Sequence, residues 1–131
     1  MARLGARYST PFPDGIPGPY VKARVTRGDD STAFRELPAL LDTGSDITLI
    51  PRGTIDALDL QLVEDDLELH DGTGAVTHNA ALYRADVQIV GLPAQTVGIT
   101  STDAAVIFLG LDILNDYLAH FDGPRQAFTL D

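Results

Sequence analysis

The sequence predicts an all-β domain, a small closed β-structure carrying one or two short helices. Three observations lead there. Short apolar stretches recur at close spacing along most of the chain, nearly all of them end in turns containing Gly, Pro or Asp, and only two segments carry helical spacing. The 131 residues suffice for one core and leave no room for a second lobe of similar size. Residues 1–19 are expected to form a Pro/Gly-rich arm and residues 20–131 the domain.

Residues 8–19 carry Pro11, Pro13, Pro17 and Pro19 with Gly15 and Gly18, a density that forbids a helix and suits an extended segment. Val21, Ala23 and Val25 then alternate with Lys22, Arg24 and Thr26, the period of a strand with one wet face. A turn at residues 27–31 ends it. A second strand over Phe34–Leu41 finishes in the apolar Ala39-Leu40-Leu41 and runs straight into Asp42-Thr43-Gly44-Ser45. Residues 47–50 are apolar apart from Thr48, and Pro51 stops them because proline has no N–H for a ladder. Thr54 is placed to cap a short helix through Leu60, with Ile55 and Leu58 on one face.

Residues 67–70 and 76–83 flank Asp71-Gly72-Thr73-Gly74, a hairpin pattern. Strands follow at 85–90 and 96–99, parted by a turn at 91–93. A buried strand at 106–109 breaks at Gly110 before a helical stretch over 111–117. Residues 119–121 and 126–130 pair around Asp122-Gly123-Pro124.

Nineteen acidic residues against nine basic ones give a formal charge of −10, which repels phosphate backbones and anionic headgroups, so neither nucleic acid nor a membrane is expected as a partner. The chain has no cysteine, so no thiolate nucleophile or Cys-based metal site is available. His70, His78 and His120 lack metal-ligand spacing, and Glu64-Asp65-Asp66 lacks the alternation of a calcium loop. No metal and no cofactor are expected. The first 14 residues contain no signal-peptide core, and the apolar run at 104–109 falls far short of the ~20 residues of a membrane helix. A soluble, cytoplasmic protein is expected.

Asp42-Thr43-Gly44-Ser45, delivered by Ala39-Leu40-Leu41 and followed by Ile47-Thr48-Leu49-Ile50-Pro51, resembles the active-site loop of the retropepsin-like aspartic proteases of clan AA, in their bacterial or cellular single-domain form. Phe108-Leu109-Gly110-Leu111-Asp112 is similar to the family's apolar-apolar-Gly segment and the helix after it. Asp71-Gly72-Thr73-Gly74 stands about where the family carries a mobile flap. The resemblance covers about residues 20–130. It implies a closed acid-protease barrel, active as a symmetric homodimer, that hydrolyses peptide bonds as an endopeptidase.

The physical logic agrees with that resemblance. Amide hydrolysis of this kind uses two carboxylates that share one proton, because like charges ~3 Å apart cannot both ionise. With a single Asp-Thr-Gly in the chain, the second aspartate has to come from a second copy across a two-fold axis. The resemblance makes Asp42 catalytic and Thr43 a brace across the dimer axis. It gives Gly44 the close approach near substrate, and has Ser45 donate to the outer oxygen of Asp42. Asp46, Gly72, Thr73 and Gly74 are implied to contact the peptide, while Leu109, Gly110 and Asp112 support the loop from behind.

The chain departs from the viral pattern at Leu111, where an arginine able to pair with an acidic residue at the Asp46 position is common. It also lacks the flap tyrosine of pepsin-like enzymes. Two rival readings remain: a catalytically silent peptide-binding or dimerisation module on this fold, and an acidic interaction domain with an accidental motif, which would be a monomer.

Overall fold

The computed structural model describes residues 3–70 and 73–131. Among these residues ten strands and two short helices follow in order: β1 (Leu4–Arg7), β2 (Tyr20–Thr26), β3 (Phe34–Leu41), β4 (Leu49–Pro51), α1 (Arg52–Leu58), β5 (Gln61–His70), β6 (Val76–Ile89), β7 (Gln95–Thr102), β8 (Ile107–Leu109), α2 (Leu111–Leu114), β9 (Ala119–Asp122) and β10 (Ala127–Leu130). The all-β class stands. No helix among the described residues is long and apolar enough to cross a membrane.

A seven-stranded sheet runs β2-β3-β8-β4-β7-β6-β5, and β6 also pairs with β2. The pairings therefore return to their starting strand, with β5 outside the ring. Alternation sets which faces point inward: Ala23 and Val25 of β2 and Ala85, Val87 and Ile89 of β6 are all buried, while Lys22 and Arg84 point to solvent. Ile50, Ile99, Ile107 and Leu109 complete the middle of this core with no exposed surface. A second sheet, β1-β10-β9, joins the two ends of the chain, Leu4 opposite Leu130 and Arg7 opposite Ala127. Phe128 and Leu130 bury its inner face against the same core.

Several boundaries differ from the sequence expectations. The strands expected at 76–83 and 85–90 are one strand, β6, because its two ends are held by different neighbours, β5 at the start and β2 near the finish. Helix α1 begins at Arg52, directly after Pro51, so Thr54 is an interior, buried residue and does not cap it. The helix stops at Leu58 because Asp59 turns left-handed at φ 50°, which frees residues 61–66 to extend β5. Helix α2 is a single turn ending at Leu114.

Candidate active site

The Asp42 turn is built by three distant segments. β3 and β8 pair in parallel, Leu41 opposite Leu109, and the Asp42 N–H continues that ladder by donating to the Leu109 carbonyl at 2.9 Å. Leu41 and Leu109 are both buried, so the apolar pair fixes the point at which the chain emerges. Asp42 itself is half-buried, and Thr43, Gly44 and Asp46 are exposed. The Asp42 carboxylate, at Oδ1, accepts from the Gly44 N–H at 3.0 Å, and the Asp42 carbonyl accepts from the Ser45 N–H at 3.3 Å. A compact turn thus presents a carboxylate at the surface of a single chain.

The support behind the turn is closer than the motif alone implied. A Cβ on Gly110 would meet the Ser45 carbonyl oxygen at 2.7 Å and the Ile47 carbonyl carbon and oxygen at 2.8 and 2.9 Å, so only glycine fits. The Leu111 N–H donates to the Ser45 carbonyl and the Asp112 N–H to the Asp46 carbonyl, at 2.8 and 3.2 Å. Asp112 reaches back in turn: its Oδ2 accepts from the Thr48 N–H at 3.0 Å and its Oδ1 from the Thr48 hydroxyl at 2.7 Å. The same hydroxyl oxygen accepts from the Gly110 N–H at 3.1 Å. Thr48 is fully buried, so each of these groups would be stranded without the others.

Thr48 is the residue that sequence reasoning missed. Its signal was present as the lone polar residue in the apolar stretch after Ser45. Ser45 corrects another expectation. Its hydroxyl donates to the Ile47 carbonyl at 2.6 Å and not to Asp42, because the tight turn places a main-chain acceptor two residues on within easier reach.

In front of the turn lies a cleft of about 990 Å³. Gly44, Ser45, Asp46 and Leu49 line it together with residues of the β5–β6 hairpin, including Leu69 and His78. Asp42 is not itself among the lining residues; its carboxylate is tied to the lining through the Gly44 N–H. His70 and His78, expected as ordinary surface or core residues, both face this cleft, with the His70 Nε2 3.3 Å from a Glu68 carboxylate oxygen. Of the expected flap tip, Asp71 and Gly72 lie outside the described residues, and Gly74 takes the left-handed φ of 86° that a turn uses. Leu111 provides no cation for Asp46, whose carboxylate enters none of the ion pairs among the described residues. No group of three potential metal ligands occurs among those residues.

No family model matches the chain, and no curated protein matches it. Several solved structures are similar, among them the following three. A retropepsin-like aspartic protease from Rickettsia conorii is 15% identical over 98% of this chain and 89% of its own, with a TM-score of 0.58. The EIAV protease, in complex with the inhibitor HBY-793, is 20% identical over 82% and 93%, at 0.54. The protease of simian foamy virus (mac), solved in solution, is 16% identical over 73% and 91%, at 0.53. The strand pairing, the glycine-backed Asp42 turn and these three likenesses together give the chain a retropepsin-like fold.

Proposed function

We propose that the chain is one half of a homodimeric aspartic endopeptidase whose two Asp42 carboxylates activate a single water. The observation that carries this reading is the Asp42 turn itself, held from behind by Gly110, Thr48 and Asp112 and opening beside a cleft large enough for an extended peptide. Two copies related by a two-fold axis bring the two turns together, with Thr43 bracing one against the other, and the barrel-like ring of strands gives that pair a rigid floor.

In the reaction, one Asp42 is ionised and the other carries the shared proton. The ionised carboxylate takes a proton from water as its oxygen attacks the scissile carbonyl carbon, and the protonated one gives its proton to the carbonyl oxygen. The tetrahedral intermediate collapses as its C–N bond breaks: the carboxyl that took the water's proton gives it to the leaving nitrogen, and the other carboxylate takes back a proton from a gem-diol hydroxyl as the carbonyl re-forms, so the dyad again shares one proton. Backbone groups near Gly44 and Asp46 and the hairpin tip at Gly72, Thr73 and Gly74 hold the peptide as an added strand and exclude water.

Cleavage of a diverse peptide mixture from pH 4 to pH 8 tests the proposal. Asp42→Asn keeps the shape but cannot supply the shared proton, so cuts are expected from the wild type alone. If neither protein cuts while the wild type is dimeric in the same buffers, the chain is a silent binding module on this fold.

A further inference from the structure

Among the exposed large apolar side chains, Ile16 stands out at 89%, and Phe12 of the same segment is 43% exposed. The segment holding them is a closed loop. Ser9 and Gly18 exchange both backbone hydrogen bonds, at 3.0 and 2.9 Å. Inside, the Phe12 N–H donates to the Thr10 hydroxyl oxygen at 3.1 Å and the Gly15 N–H to the Phe12 carbonyl at 3.2 Å. Three prolines, Pro11, Pro13 and Pro17, stiffen it further. The loop's backbone hydrogen bonds and prolines therefore fix a segment on which Ile16 is almost wholly exposed.

Its position is specific as well. The Pro19 carbonyl accepts from the Leu41 N–H at 3.1 Å, and a Cβ on Gly18 would lie 3.5 Å from a Leu40 methyl. The loop thus rises from the two residues that deliver Asp42. Its composition is unlike the rest of the chain: from Tyr8 to Tyr20, Asp14 is the one charged residue in a protein of charge −10. Two such copies repel each other least where they meet through an uncharged surface.

We propose that the loop of residues 9–18 is the grip by which each copy holds a second copy of this chain, with Ile16 and Phe12 buried in the partner beside the paired Asp42 turns. This inference rests on the homodimer reading above. Apolar anchors of this kind carry a large share of an interface's binding energy while their neighbours contribute little.

Sedimentation velocity over a concentration series, with peptidase activity measured in the same samples, tests it. Ile16→Asp is expected to raise the dimer dissociation constant at least about tenfold. Activity should be lost at low concentration and return at high concentration with the same kcat per dimer. Ile16→Leu should behave as wild type, and Ile16→Ser should fall between. Val63→Asp, another exposed apolar site on β5, should leave the constant unchanged. Ile16→Asp dimerising as tightly as wild type would remove the loop from the interface while the dimer stands. A wild type that stays monomeric at every concentration would overturn both.

Discussion

At the scale of single residues, Gly110 is where one added methyl group would be felt most. The atoms it would strike are main-chain atoms of residues 45 and 47, which cannot swing aside as a side chain would. Gly110→Ala is therefore expected to cost about 1–3 kcal/mol in denaturant unfolding, and to lower activity further by shifting the turn that carries Asp42. Asp30 gives a milder case. The Thr32 hydroxyl, and after it the Thr32 N–H, donate to its Oδ1 and hold its carboxyl below the usual range. A carboxyl depressed in the folded chain stabilises it above the unfolded pKa, and that stabilisation is lost as pH falls through the folded value. Thr32→Val should raise the Asp30 midpoint seen by NMR, and the stability difference between the two proteins should vanish in acid. The Asp42 turn was legible in sequence because its four residues and apolar flanks are contiguous. The roles of Thr48 and Ser45 were not, since a hydroxyl's partner is chosen by three-dimensional proximity that no local pattern encodes.

At the scale of elements, the C-terminus of α1 shows both what local chemistry decides and where it leaves room. The Leu60 N–H donates to the Ile55 carbonyl and the Asp59 N–H to the Asp56 carbonyl, the two bonds of a Schellman ending, with Ile55 and Leu60 both in the core. That ending places Asp59 in the left-handed region, where glycine is the easier residue. Asp59→Gly is expected to stabilise the protein by up to about 1 kcal/mol in thermal or denaturant unfolding, since the 4.0 Å pair of Asp59 with Arg27 is too exposed to matter. Strands with one wet face, such as β2, could be read from alternation alone. β1 could not, because Leu4-Gly5-Ala6-Arg7 has no periodic signal and is a strand only by virtue of β10, at the far end of the chain. The unity of β6 was hidden likewise by Arg84, a polar residue that simply faces outward.

At the scale of the whole molecule, the charge of −10 sets how two copies can meet. Lowering pH from 8 towards 5 makes each copy less negative, so repulsion between copies falls. Dimerisation is expected to tighten on that descent at low salt. The difference should shrink in 1 M salt, where the screening length drops to about 3 Å. Equal dissociation constants at both pH values in low salt would rule out repulsion as the control. The lock behind Asp42 has a consequence in time as well as in space. Thr48 is held by Asp112 and Gly110, which lie 64 and 62 residues further along, so the turn cannot be fixed until nearly the whole chain is available. Contacts of such long range form late in folding. A chain still emerging during synthesis carries Asp42 without the geometry around it, and the turn takes its final shape only with the completed domain.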